Sequence, residues 1–415
     1  MVMNSILALA LFTNFIQGTT MKIWHPFTML GVMINLVTFS ALGAEVLTPK
    51  AELGRQLFFD KNLSEPAGQS CSSCHDPLAA FTDKDKTQPT SKGVDTSLHG
   101  NRSAPTIMYA AFSPAFTFDR QANLYKGGQF WDGRAKTLRD QAKGPFLNPI
   151  EMANPTPESV IAKIKQSSVT DYQTGFEGVY GKNALDNTTK AYNYVADAIA
   201  EFEHSPVFNP FTSKYDFYLF GKARFTTQEK RGLIVFETKD KGNCIACHDS
   251  RPSGTTPPLF TDFSYDNIGI PKNPDNPFYL LPPQFNVNGM AFVDLGLGGQ
   301  LKLPDQEGKF KVPTLRNIAL TSPYTHNGYF KTLRGVVMFY STRNVIKRCN
   351  NTFTDEKTAL QQKCWPMPEV PQNVNFSELG NLNLSQNDVN DVLAFLNTLT
   401  DGYGKVSPWP SLIKP

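Results

Sequence analysis

The chain has 415 residues, which sets two domains as the natural expectation. Hydrophobic residues make up 40% and charged residues 19%, an ordinary balance for a globular protein. A net charge of +3 with no basic run gives no electrostatic case for nucleic acid or an anionic membrane surface as a partner.

No charged side chain occurs from Met1 to Thr20. Met21-Lys22 then opens a segment whose apolar run, Phe27 to Ala44, ends in Ala41-Leu42-Gly43-Ala44. From Met21 onward this is the pattern of a secretory signal, and residues 1–20 read as an upstream extension. A retained N-terminal anchor is the alternative, since the run is nearly of spanning length. No apolar stretch of that length follows Ala44, so the mature protein is expected in the periplasm, cleaved and soluble.

Residues 71–75 read CSSCH, and 244–248 read CIACH. Their approaches are alike: LGRQLFFDKNLSEPAGQ before the first, KRGLIVFETKDKGN before the second. Each reads as an amphipathic helix, a short Gly-containing loop, then cysteine. Thr226, with Glu229 three positions later, forms a capping box for the second helix. This is duplication of one structural unit, not a short-period solenoid. It predicts a first domain at 45–205, a second at 215–400 and a tail at 401–415.

Between the two sites, residues 189–203 place Tyr192, Val195, Ile199 and Phe202 on one helical face, with His204 as a C-terminal charge. The stretch 250–285 carries eight prolines and reads as loop. A short helix at 332–341 bears Val336, Val337 and Tyr340. Cys349 and Cys364 lie in a polar segment, and in an exported protein such a pair is expected as a disulfide. Ser385 caps a last helix at 386–399, with Val389, Val392, Leu393, Leu396 and Leu399 at helical spacing. Strand signals are few. The chain reads as mainly α, with long loops held by something other than a simple core.

Spacing decides what the cysteines do. A zinc site would draw two CxxC pairs together and leave His75 and His248 incidental. A thioredoxin-like CxxC wants a βαβ context that neither site shows. CxxCH is the attachment sequence of c-type haem. On one helical turn Cys71 and Cys74 share a face and reach two vinyl groups, and His75 stays on that face to ligate iron. Cys244, Cys247 and His248 repeat the arrangement. Two covalently bound haem c groups are therefore expected, one per domain.

Further motifs lie around these sites: Phe130-Trp131-Asp132-Gly133-Arg134, the segments QAKGP and NPIEM, FTDFSYDNIG at 260–269, and KVPTLRNIALTSPYTHNG at 311–328. Through them the chain resembles the bacterial di-haem cytochrome c peroxidases and their MauG-type relatives over nearly all of its length after residue 50. The resemblance implies two cytochrome c-like haem domains and peroxide chemistry. It implies that His75 is the proximal ligand of a peroxide-reacting haem and His248 that of an electron-relaying haem. Trp131 would pass charge between them. Glu151 would face the first iron as general acid/base, with Gln141 and Pro145 shaping its pocket. Thr321 and Pro323 would offer carbonyls to a calcium ion, and His326 would act as a hydrogen-bonding group near the second haem.

Departures from the family pattern refine this reading. Val94 stands where a histidine blocks the first iron in many of these peroxidases, and His99 lies five positions further on, so the first haem is expected to be open. Tyr340 stands at the position of the usual methionine ligand of the second haem, as in MauG-type proteins. Met338, two residues earlier, would point away on a helix. Ser103 replaces the family's asparagine calcium ligand, with Asn101 nearby. The expected activity is reduction of hydrogen peroxide, with electrons from a small cytochrome c or copper protein. Oxidation of a partner protein's side chains is the MauG-type alternative, and a non-catalytic electron carrier the other. Relatives of this kind often form homodimers.

Overall fold

The halves of the chain on either side of residue 205 repeat one packing device. In the first, helix α1 (Pro49–Phe59) crosses a long helix that ends at His204; in the second, a helix before CIACH crosses the last helix of the chain. The computed structural model describes residues 46–405. The signal segment expected at 1–44 and most of the expected tail lie outside them.

After α1 come the one-turn α2 (Cys71–Cys74), then α3 (Leu138–Leu147), α4 (Pro157–Gln166), α5 (Tyr172–Tyr180) and α6 (Thr188–His204). The second half holds α7 (Lys214–Leu219), α8 (Thr227–Glu237), α9 (Gly296–Leu301), α10 (Leu333–Thr342), α11 (Glu356–Gln362) and α12 (Gln386–Asn397). Two short antiparallel ribbons complete the described residues: β1 (Thr117–Asp119) with β2 (Leu124–Lys126), and β3 (Tyr265–Asp266) with β4 (Phe310–Lys311). The protein is mainly helical.

Local chemistry sets these boundaries. Thr48 caps α1, whose first residue is Pro49 and needs no amide partner. Asn187 caps α6. Reciprocal capping boxes open α8, from Thr226 and Glu229, and α12, from Ser385 and Asp388. The expected helices at 189–203, 332–341 and 386–399 are present, with ends shifted by one or two residues, as helix termini fray.

At each crossing a glycine lets the backbones touch. A Cβ on Gly54 would lie 1.9 Å from the Ala198 carbonyl oxygen, and one on Gly232 would lie 1.9 Å from that of Asp391. Only glycine fits either contact. Two large apolar clusters result. One gathers Leu57, Phe58, Val195, Ile199 and Phe202; the other gathers Val235, Phe236, Val392, Phe395 and Leu396.

The expected boundary at about 205–215 falls between α6 and α7, within a described region that packs as one compact unit. Buried polar contacts join its halves. Arg102 grips Asp294 through two hydrogen bonds of 2.7 Å. The Tyr109 hydroxyl donates to Asp401, which also accepts from Asn317 Nδ2. Arg316 pairs with Asp216, both almost fully buried, and its guanidinium lies over the Tyr109 and Phe211 rings. Charges this deep are tolerated because each is paired and hydrogen-bonded. Cys349 and Cys364 are joined by a disulfide beside α11. Among the described residues no helix is long and apolar enough to cross a membrane.

Candidate functional site

The two CxxCH segments fold as one tight turn each. His75 N–H donates to the Cys71 carbonyl at 3.0 Å, and His248 N–H to that of Cys244 at 2.8 Å. Each histidine is then fixed from the same side. His75 Nδ1 lies 3.0 Å from the Phe81 carbonyl, and His248 Nδ1 lies 2.8 Å from the Phe260 carbonyl. Both phenylalanines adopt left-handed backbone with φ 54°, which turns the carbonyl toward the ring. The hydroxyls of Thr106 and Thr314 pin the preceding carbonyls, those of Ala80 and Leu259. Sequence reasoning missed these anchors. The signal was present, since Phe-Thr-Asp follows both sites, at 81–83 and 260–262.

One cavity of about 420 Å³ touches both segments. Its walls include all four CxxCH thiols, both histidines, Trp131, Glu151 and Tyr340. The volume falls within the range of small-molecule and cofactor sites. The residues fit a covalent haem at each segment. The four thiols are free. Burial pushes them all upward, Cys74 and Cys244 to about 12, so they stay as neutral thiols. Burial lowers both histidines, leaving neutral imidazoles. With Nδ1 held by a carbonyl, Nε2 is the free ligand atom. The zinc alternative fails, because the two pairs do not converge. Among the described residues the grouped His, Cys, Asp or Glu donors are Cys247, Asp266 and Glu378, which belong to the second site.

The other walls differ. Beside the first site, Gln141, Pro145 and Glu151 share the cavity wall. Gln141 and Pro145 come from α3, and Glu151 from the turn after it. Asn148 shapes that turn: its Oδ1 accepts from Ile150 N–H at 3.0 Å, and its Nδ2 donates to Glu151 Oε1 at 2.8 Å. Burial raises the Glu151 carboxyl above its usual range, opposed by Arg134 and the Asn148 bond. Val94 donates its N–H to the Glu151 carbonyl and does not line this cavity. His99 is buried elsewhere, with Nδ1 3.4 Å from the Thr90 carbonyl, and does not line it either.

Beside the second site, α10 brings Tyr340 to the cavity with Val336 and Val337. Burial pushes its phenol well upward, and the Cys247 and Cys244 thiols add to the shift, so they lie close to it. Met338 faces elsewhere; its sulfur accepts from Gln386 Nε2.

Trp131 is tied to both halves. Its indole N–H donates to the Ser103 carbonyl at 2.9 Å, and its own carbonyl accepts from Lys311 N–H at 2.8 Å. His326 stacks on Phe310 at 3.5 Å, and its carbonyl accepts from Ser103 N–H. Thr321, Pro323, Asn101 and Ser103 also line the cavity. His204 ends α6 and is exposed. Glu203, one residue earlier, is buried on the cavity wall, and sequence reasoning passed over it.

Two c-type haem sites sharing one cavity, one beside a half-buried carboxyl and one beside a half-buried phenol, define a di-haem redox protein. Residues 48–224 match the family model for di-haem cytochrome c peroxidase. The chain is 42% identical to the methylamine utilization protein MauG of Paracoccus denitrificans over 358 residues, covering 85% of this chain and 88% of that protein. It is 32% identical to the cytochrome c551 peroxidase of Pseudomonas aeruginosa over 296 residues, covering 71% and 72%. The crystal structure of the diheme peroxidase BthA from Burkholderia thailandensis superposes with a TM-score of 0.70 at 31% identity, covering 88% and 90%. The chain belongs to the di-haem cytochrome c peroxidase and MauG family, and is a peroxidase-type oxidoreductase with two haem c cofactors.

Proposed function

We propose that the protein works in the periplasm and reduces hydrogen peroxide at the His75 site, withdrawing electrons through the His248 site from side chains of a partner protein. The observation that carries this reading is Tyr340, rather than Met338, on the cavity wall. A phenolate stabilises oxidised iron where a thioether favours the reduced state. Similarity to MauG supports the same choice.

A haem held by Cys71, Cys74 and His75 would supply the iron that reacts with peroxide. Glu151 would take a proton from one peroxide oxygen and return it to the other as the O–O bond breaks. Peroxide gains two electrons and two protons, and two waters leave. Asn148 holds Glu151 for this task. Trp131 carries charge between the halves, its indole fixed by Ser103 and its backbone by Lys311. Residues 45–205 form the peroxide-reacting domain and 215–400 the charge-transfer domain. Thr321 and Pro323, on the cavity wall, would offer carbonyls to a calcium ion.

Similarity to the cytochrome c551 peroxidase favours a second reading, in which a small cytochrome c or copper protein supplies the electrons. Stopped-flow mixing with peroxide separates the two. A persistent peroxide-induced spectrum with slow turnover of reduced cytochrome c is expected. Rapid cytochrome turnover would transfer the assignment to the second reading.

A further inference from the structure

The duplicated helix crossings allow the two haem sites to be compared position by position. Next to the Gly54–Ala198 contact lies Phe202, and next to the Gly232–Asp391 contact lies Phe395. Four residues on from Ala198 and from Asp391, these phenylalanines hold equivalent places on α6 and α12. The residue after each faces the cavity: Glu203 at the first site and Leu396 at the second. Both are buried, at 3% and 5% exposure. Ile199 and Val392, one turn earlier, also match and also line the cavity.

A carboxyl replaces leucine at a place built for an apolar side chain. Glu203 Oε2 has no hydrogen-bond partner in the protein. It also sits in the last turn of α6, where the helix dipole disfavours negative charge. Burial raises it to about 8.

The charged groups on neighbouring elements are engaged elsewhere. On α1, Lys50 pairs with Asp197 and Glu201, and Arg55 with Glu52. On α3, Lys143 pairs with Asp140, and Arg139 is exposed. On α4, Lys163 pairs with Glu65 and Lys165 with Asp186. The 3-10 turn Ala110–Phe112 brings no charge. Glu203 adds to the upward shift of the Cys71 thiol, the first attachment cysteine, whose sulfur carries no proton once haem is attached.

We propose that Glu203 is a redox-linked proton store for the first haem site alone, holding a proton while that site is reduced and releasing it as positive charge accumulates there. Loss of one electron from the site is matched by loss of one proton. The carboxyl O–H bond breaks, its electron pair stays on the carboxylate, and the proton leaves to solvent. The oxidant in turnover is peroxide, and in a titration the electrode. A buried carboxylate beside an oxidised site offsets part of that site's charge; Leu396 provides no such group. The inference rests on haem at His75 but not on which donor supplies electrons, so it survives a change of donor.

The test is a redox titration of the holoenzyme at several pH values. The potential of the first site should fall as pH rises from neutral into the mildly alkaline range, by up to about 59 mV for each tenfold drop in proton activity. Glu203→Gln should lose this slope, and agree with wild type only at acidic pH. Glu203→Leu, which copies the second site, should lose it as well and carries the test if the glutamine variant fails to load haem. The reduced-minus-oxidised infrared difference spectrum of the wild-type protein should show loss of a protonated carboxyl band that is missing in either variant. An unchanged slope in a haem-loaded variant, or no such band in wild type, would overturn the proposal.

Discussion

The two CxxCH sites agree where the chain must grip a cofactor and differ where it must do chemistry. Both have a glycine-mediated helix crossing, a left-handed phenylalanine whose carbonyl holds the histidine, and a threonine pinning the carbonyl before it. These features orient Nε2, and a small displacement there would weaken any iron bond. The opposing walls come from segments outside the duplication. The turn after α3 brings Glu151 to the first site, and α10 brings Tyr340 to the second. One duplicated unit thus supports two functions, because the gripping side is constrained and the reacting side is not.

The comparison breaks most sharply at Glu151. Glu151→Gln should slow the reaction with peroxide by about 100- to 10,000-fold, the usual worth of a positioned acid/base, while leaving the potential of the second site unchanged. As a proton acceptor Glu151 must first be ionised, and burial raises its pKa above 4.5. The wild-type rate should therefore fall as pH drops through a value above 4.5, and the variant should lose that limb. Stopped-flow rates across pH check both statements.

The glycines test whether the two grips are independent. Gly54→Ala forces a Cβ onto the Ala198 carbonyl, and Gly232→Ala forces one onto that of Asp391. Each should cost about 3 kcal/mol or more, since the obstacle is backbone and cannot swing aside. Haem content measured per protein should fall mainly at the first site for Gly54→Ala and at the second for Gly232→Ala. A smaller effect is expected from Cys349→Ser, which opens a loop spanning 15 positions found only in the second half. Thermal unfolding should register a loss of up to about 3 kcal/mol, with the first site's spectrum unaltered.

Much of this was legible in the chain itself. The helices over 189–203 and 386–399 follow from apolar residues at helical spacing, and the haem anchors from CxxCH in similar contexts. Glu203 was legible too: it stands four positions after Ile199, on the apolar face, where the equivalent residue after Val392 is Leu396. Periodicity counts the apolar residues of a face and passes over the one polar residue among them. The ties between halves leave no local trace. Arg102 and Asp294 are 192 positions apart, and Tyr109 and Asp401 are 292 apart, so no window or period links them.

The proposed function requires an open iron site at His75 and a closed one at His248. Electron paramagnetic resonance of the resting, fully oxidised holoenzyme tests it directly. One high-spin and one low-spin ferric signal are expected, with the high-spin signal alone perturbed by a small added ligand such as cyanide. Two low-spin signals would mean that both irons are closed at rest, and would contradict the open site that Glu151 is proposed to serve.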